Sequence, residues 1–490
     1  MIAWIKRSHI NLAVISFLAV YSLIQLAGLS GFYPYGWDES VYLQAGRYII
    51  SGGNDGFLEN LRPLFFPLML APFSYSIFMS RLFVLALSIA ALWIVYKIAG
   101  KHLDPTLSWI LPVIMAVFPF YYLSSNSILT EIPGLFLHVL CIYLFFEKKY
   151  FFSGMTAFLA FFTRFTSGIY LPLLFIGVLF LEKRKDMFRS ASMFILGAVV
   201  GSSSFLVNTY LFYPETKDVF IATIYPILNQ FGFIFTGDEG LLFYPGYMLR
   251  WTVLSVFAIA GIFFILRPFI SGLINGEKTG DPLKKKVIVL ALALLPFSYL
   301  LIAPHKEIRY LIIILPWIAY LMCFGIAETI RLIMRNIPKK RRKTASAAIF
   351  IVLAFMSLSM ILDSAALVRE FYYAPEQLYD DYYFALKGLP HDNKILTSLP
   401  MIQTGARIVI GYYDTGYFYE KLNQDDYDYV YYTTEWLPCA KDDPGCLKIR
   451  ESTLDNLEKN YALYLNYSFY NSDFLIYSRK GLGGNIIKRY

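Results

Sequence analysis

The sequence predicts a polytopic α-helical membrane protein carrying a small α/β domain at its C-terminal end, and three observations carry that prediction. The chain is 57% hydrophobic and 18% aromatic with 16% charged residues, and its mean hydropathy is +0.52, well outside soluble averages. Apolar segments of spanning length recur along most of it. Basic residues gather in alternate connections between those segments.

The first apolar run, residues 10 to 29, follows Lys6 and Arg7. It is nearer a spanning length than a signal-peptide core and lacks an A-x-A-like end, so it reads as an uncleaved first span. Further runs lie at 80–99, 106–123, 132–147, 190–211, 248–269, 287–303, 310–332 and 344–365. The stretch 150–181 is long enough for two, interrupted at "FFTRFTSGIYLP", where Arg164 and Gly168 predict short or broken helices meeting near the outer leaflet. The expected total is about eleven spans, an odd number that leaves the termini on opposite sides.

Charge chooses the sides. Lys97 and Lys101, Lys148 and Lys149, "EKRKDMFR" at 182–189, "KKK" at 284–286 and "KKRRK" at 339–343 fall in alternate connections. With Lys6 and Arg7 they predict a multi-pass protein of the cell membrane with a cytoplasmic N-terminus. Residues 31–62, 124–131, 212–247, 304–309 and everything after about 366 then face outward. The net charge of +8 is accounted for by topology and gives no nucleic-acid signal.

Two domains are expected: a membrane domain over 1–365 and an extracytoplasmic α/β domain over 366–490. In the latter "PEQLYDDYYFALKGL" has helical spacing, "KILTSL", "RIVIGYY" and "YDYVYYT" look like short strands, and the last strands form a hairpin turning through Asn471, Ser472 and Asp473. Cys141 and Cys323 fall inside spans. Cys439 and Cys446, in "CAKDDPGC", fall on the outward side, where a disulfide is permitted. "NYS" at 466–468 is an outward sequon.

The outer loops hold the chemistry. In "YPYGWDESVYLQAGRYIISGG", Asp38 and Glu39 precede apolar residues at 41, 42, 45, 48 and 49, the spacing of an amphipathic helix at the membrane interface. Both acids occupy its first turn, where the helix dipole favours the ionised form. Capping the helix would suffice to explain them, but not the other outward charges: Arg62, Glu131, Arg164, Arg250, and His305, Lys306, Glu307 and Arg309 in "PHKEIRYLIIILP". A sugar moved to a hydroxyl needs a carboxylate to take the hydroxyl proton. A lipid-phosphate leaving group needs cations instead of a proton.

In order along residues 10–180, the Asp-Glu pair, the following helix, an Arg-Pro segment, the "MSRLFVLALSIAALWIVYKIAG" span, "TEIP" and the "FFTRF" break resemble the GT-C glycosyltransferases that use lipid-phosphate sugars. The nearest branch is that of the dolichyl-phosphate-mannose protein mannosyltransferases and lipid A aminoarabinose transferases. The "HKEIRYL" loop is similar to one in GT-C mannosyltransferases that extend lipid-linked or anchor glycans. The resemblance implies Asp38 as catalytic base with Glu39 in support, and Arg62 as a donor-phosphate ligand, although "RPLFFP" replaces the family's double proline. Lys306 and Arg309 are further phosphate candidates, expected to converge with Arg62 on one outer-leaflet pocket. Glu131, Arg164, Arg250, His305 and Glu307 are candidate lining residues.

The expected partners are a polyprenyl- or dolichyl-phosphate sugar donor, a glycan, lipid or protein acceptor, and membrane lipids, with no nucleic acid. No zinc, Walker-type or Ser/His/Asp signature appears, and a divalent metal is compatible but not indicated. A transporter or flippase of lipid-linked glycans is the alternative, though it would place ionisable residues near the bilayer midplane. "GYYDTGYF" at 411–418 only faintly resembles an oligosaccharyltransferase signature.

Overall fold

The computed structural model describes residues 7–29, 37–52, 55–56, 62–105, 107–212, 240–277, 279–303, 306–338, 341–373, 394–397, 407–410, 415–424, 427–433, 444–469 and 472–481. The chain divides into two compact units: residues 1–30, 63–66 and 81–373, and residues 31–62, 67–80 and 374–490.

The helices, in chain order, are α1 (Arg7–Leu29), α2 (Trp37–Ile50), α3 (Phe65–Leu70), α4 (Ile77–Ile98), α5 (Ile110–Val117), α6 (Pro119–Ser124), α7 (Glu131–Phe146), α8 (Tyr150–Thr163), α9 (Tyr170–Leu181) and α10 (Arg184–Phe212). They continue with α11 (Phe243–Trp251), α12 (Phe257–Ile274), α13 (Asp281–Ile302), α14 (Leu315–Asn336), α15 (Arg342–Tyr373), α16 (Thr415–Gln424) and α17 (Pro444–Asn460). Among the described residues six helical stretches are long and apolar enough to cross a membrane: 11–29, 77–103, 254–274, 281–302, 315–336 and 344–366. Helices α7 and α8 and the stretch 165–181 are apolar but shorter. Their apolar side chains are widely exposed, as with Leu12, Ile15 and Leu23 on α1 and Phe355 and Leu362 on α15, which suits lipid as the surrounding solvent.

Several expected spans are cut differently. The run 106–123 is two short helices, because Phe118 precedes Pro119 and takes an extended conformation (φ −62°, ψ 124°) that ends α5. The run from 248 begins its long helix later, since Thr252 is extended (φ −159°, ψ 130°) and its side chain caps Leu254 N at 3.2 Å. The run from 310 starts as a 3-10 turn, Ile308–Ile313, before α14. At Arg164 the expected break is present: the residue is extended (φ −154°, ψ 112°) between α8 and the 3-10 turn Phe165–Ile169.

In the first unit the helices pack through small residues. A Cβ on Gly197 of α10 would lie 1.8 Å from Phe151 O, and one on Gly154 of α8 would lie 2.0 Å from Phe194 O. Helices α12 and α14 repeat the arrangement at Gly261 and Gly325, each against the other's backbone. Lipid tails are as apolar as Leu, so close backbone approach must supply the attraction that water supplies elsewhere. Helix α1 is held by polar groups instead. Tyr21 OH bonds Ser125 Oγ at 2.7 Å, Ser125 Oγ bonds Ser88 Oγ at 2.8 Å, and Gln25 donates to Tyr122 O at 3.1 Å.

One end of this bundle is a layer of ion pairs. Lys101 donates to Glu147 at 2.6 Å, His102 pairs with the other Glu147 oxygen at 2.6 Å, and Lys148 meets Glu182 at 2.9 Å. Lys285 lies 3.3 Å from His102 Nδ1, and Lys284 donates to Phe180 O at 3.1 Å. The Lys101 hydrogen bond, above all, holds the Glu147 carboxyl below its ordinary range. The connections after α4, α7 and α9 and the start of α13 therefore share one end.

In the second unit α2 is buried continuously from Glu39 to Arg47. The polar positions Glu39, Ser40, Gln44 and Arg47 of this helix are buried as well, and Ala71 and Ser74 lie against Gly46 on its polar face. Arg47 Nε donates to Ser74 O at 3.3 Å and its guanidinium stands 5.3 Å from the Tyr75 ring. The C-terminal segment builds a five-stranded sheet from β1 (Lys394–Thr397), β2 (Arg407–Ile410), β3 (Tyr429–Thr433), β4 (Tyr461–Phe469) and β5 (Ser472–Arg479), in the order β2-β1-β3-β5-β4. β1 runs parallel to β2 and β3, while β5 is antiparallel to β3 and β4. Leu396, Phe418, Tyr427, Val430 and Leu457 form its core. The helix expected at 375–389 lies outside the described residues. Asn466 of the sequon sits in the β4–β5 ladder opposite Leu475, with its Oδ1 buried.

Gly197→Val is expected to drive α8 and α10 apart and cost about 1–3 kcal/mol. The thermal midpoint in detergent should fall by several degrees, whereas Gly272→Ala, whose Cβ meets nothing within 4 Å, leaves it unchanged. Equal midpoints for both variants would contradict packing through Gly197.

Candidate active site

Asp38 and Glu39 open α2, as the sequence requires. Arg62 Nη2 lies 2.7 Å from Asp38 Oδ1, with both side chains about a fifth exposed (21% and 24%). The same guanidinium donates to Tyr42 OH at 3.4 Å and stands 5.2 Å from the Tyr42 ring. Asp38 and Tyr42 are four residues apart and share a helix face, so one arginine spans both. Pairing holds the Asp38 carboxylate in one orientation while leaving it partly in solvent. Glu39, next to it, is buried.

The second cluster belongs to the first unit and is more deeply buried. Glu131, in the first turn of α7, has a side chain only 3% exposed, and its Oε1 is 2.7 Å from Arg164 Nη1 and 3.6 Å from Arg309 Nε. Among the described residues Glu131 Oε2 has no hydrogen-bond partner. Arg164 reaches it because the backbone between α8 and the next turn is extended there, and because Gly134, one turn into α7, lets the Arg164 Cβ approach to 3.4 Å of where a Cβ would stand. Arg164 Nε donates to Thr166 Oγ1 at 3.1 Å, and its guanidinium is 5.1 Å from the Tyr310 ring. Arg309 also clasps Glu307, whose Oε1 receives the Tyr310 hydroxyl at 3.3 Å. Burial pushes the Tyr310 hydroxyl well above its ordinary value, so it remains a donor.

Four expected residues, Glu131, Arg164, Glu307 and Arg309, are thus brought together from three distant stretches. Lys306 donates to Ala303 O at 3.0 Å, at the end of α13. Arg250 lies exposed in the last turn of α11. His305 and Cys439 lie outside the described residues, while Cys446 is disulfide-bonded. Among the described residues no group of three or more His, Cys, Asp or Glu could hold a metal ion. Sequence reasoning missed Tyr42 and Tyr310. The signal for Tyr42 was its position one turn after Asp38; that for Tyr310 was adjacency to Arg309.

Acids at helix starts and arginines at helix breaks, set in a bundle of long apolar helices, are the features on which the sequence resembles the GT-C glycosyltransferases. The model of the Alg9-like mannosyltransferase family matches residues 10–384, and the chain belongs to that family. No curated protein matches it in sequence. Its fold is similar to that of ArnT from Cupriavidus metallidurans bound to undecaprenyl phosphate, with a TM-score of 0.60 at 12% identity over 96% of this chain and 99% of that one. It is also similar to the Archaeoglobus fulgidus oligosaccharyltransferase tethered with an acceptor peptide containing the NVT sequon, with a TM-score of 0.55 at 12% identity over 99% of this chain and 76% of that one. The protein is an enzyme of the transferase class, which displaces the transporter alternative.

Arg164→Met leaves Glu131 buried with only the longer Arg309 contact, and is expected to cost about 3 kcal/mol or more. Arg62→Met, in the wetter pair, is expected to cost about 1 kcal/mol or less. Thermal unfolding of the two variants in one detergent checks the order, and a larger loss for Arg62→Met would contradict it.

Proposed function

We propose that the protein moves a sugar from a polyprenyl- or dolichyl-phosphate donor to an acceptor hydroxyl on the extracytoplasmic side, with inversion and with Asp38 as general base. The observation that carries this reading is the Asp38 carboxylate itself: partly exposed, at the head of a helix buried from Glu39 to Arg47, and held by Arg62. As the acceptor hydroxyl attacks the anomeric carbon, Asp38 takes its proton. The lipid phosphate leaves as an anion and takes no proton, so cations must meet the developing charge. Arg62, Lys306 and Arg309 are assigned to that task. One carboxylate acting without a covalent intermediate gives inversion. Glu131 and Glu307 balance Arg164 and Arg309, so this cluster offers directed N–H groups with little excess charge.

The donor class also follows from side. Nucleotide sugars are kept in the cytoplasm, so a transferase whose acids face outward needs a sugar carried across on a lipid. Among solved folds, ArnT was captured with undecaprenyl phosphate, and AglB from Archaeoglobus fulgidus with a dolichol-phosphate at a TM-score of 0.50, which is consistent with a lipid-phosphate donor here. The proposed topology has about eleven crossings, an inward N-terminus and the C-terminal sheet outside. The shared end of Lys101, Lys148, Lys284 and Lys285 supports it.

Asp38→Asn keeps the size of the side chain and an oxygen for Arg62, yet removes the proton acceptor. Transfer from a polyprenyl-phosphate sugar is expected to fall about a hundredfold or more, with unfolding unchanged. Asn caps helices nearly as well as Asp, so near-normal transfer would make the carboxylate structural. The outward side makes a separate prediction: mass spectrometry of the non-reduced protein should show Cys446 joined to Cys439. Two free thiols would overturn the proposed orientation.

A further inference from the structure

Beneath the Glu131 cluster lies a second tier built by the same three pieces of chain. Helix α7 supplies Glu131 and, seven residues on, His138, which falls on the same face about 10 Å along the axis. The stretch beginning at the α8 break supplies Arg164 and then Tyr170, and the stretch beginning at the 3-10 turn Ile308–Ile313 supplies Arg309 and then Trp317. Trp317 Nε1 donates to His138 Nε2 at 2.9 Å. The Tyr170 ring centroid stands 3.7 Å from that of His138, and Tyr170 OH donates to Ile313 O at 3.4 Å, at the end of the turn that bears Arg309. His138, Tyr170 and Trp317 are each no more than 1% exposed.

A histidine is a poor choice for filling this space. The indole has no acceptor, so its bond to Nε2 fixes the neutral ring with its proton on Nδ1. That Nδ1 is buried and has no partner among the described residues, a cost that Leu or Phe would avoid. What His138 brings is a directional bond from α7 to the first turn of α14, directly after the segment carrying Glu307, Arg309 and Tyr310.

We infer that His138 is a positioning residue: through Trp317 and Tyr170 it fixes the register of residues 306–314 against α7, so that Arg309 meets Glu131. That this also readies Arg309 for the donor phosphate rests on the function proposed above.

The test uses the full-length protein in lipid nanodiscs, with His138→Leu, His138→Gln, Trp317→Phe and the double variant His138→Leu/Trp317→Phe. Amide hydrogen exchange over 306–314 is expected to quicken about tenfold in His138→Leu and in Trp317→Phe, and no further in the double variant. Exchange in α8 and α10 should stay as in the parent, and His138→Gln, whose amide oxygen can accept from the indole, should restore most of the protection. Parent-like exchange over 306–314 in both single variants overturns the inference. So does equal quickening throughout the bundle, the mark of a merely structural residue. Undecaprenyl phosphate is the probe for the dependent clause: its binding should weaken several-fold in both single variants and in Arg309→Gln. Unchanged binding in Arg309→Gln, with local quickening still present in His138→Leu, overturns the phosphate assignment and leaves the positioning role standing.

Discussion

The buried Glu131 carboxylate, shared by Arg164 and Arg309, is the constraint on which the first unit's organisation depends. An ionised acid at the head of an apolar helix is expensive, and only cations brought to it can offset the cost. Both arginines come from places where a helix gives way to other backbone. Arg164 is itself extended, and Arg309 lies in a 3-10 turn. The breaks are therefore part of the site's construction, since a continuous helix through either residue would direct its side chain elsewhere.

The two ends of α7 show the same principle with different outcomes. At Glu131 the charges are enclosed and carry fixed partners. At Glu147, one residue past the helix, Lys101 and Lys148 pair with carboxylates while remaining half exposed or more, at 53% and 65%. Exposed pairs contribute little stability and tolerate change, whereas the enclosed cluster does not. The two ends of the bundle thus differ in kind: one is a layer of partly exposed pairs, and the other encloses its charges.

Between these ends the helices are held by two means suited to lipid. Gly154 with Gly197, and Gly261 with Gly325, bring backbones into contact, while Tyr21, Gln25, Ser88 and Ser125 link α1 to its neighbours by hydrogen bonds. Neither depends on water being expelled between apolar faces.

The membrane class was legible in the sequence, because hydrocarbon demands long apolar runs and composition alone reports them. So were the strands β1, β2 and β3, whose short runs of β-branched and aromatic residues need no partner to be read, and the acids at helix starts. The break at Arg164 was visible as a charge and a glycine inside an apolar stretch. The cut at Phe118 was not, although Pro119 marked it, since two short apolar helices read as one span when only hydropathy is counted. The burial of α2 was hidden for a related reason: polar spacing predicts a wet face, and only the chain that folds over that face decides otherwise. Pairing was likewise out of reach. Glu131, Arg164 and Arg309 are scattered over nearly 180 residues, and nothing local announces that they meet. His138, inside an apolar run, carries no local sign that Trp317 and Tyr170 lie against it. The sequence by itself determined the solvent this protein lives in and the charges it could not bury alone. The tertiary structure decided which charges share a partner, because ion pairs and ring contacts depend on distance in space, which one-dimensional spacing does not encode.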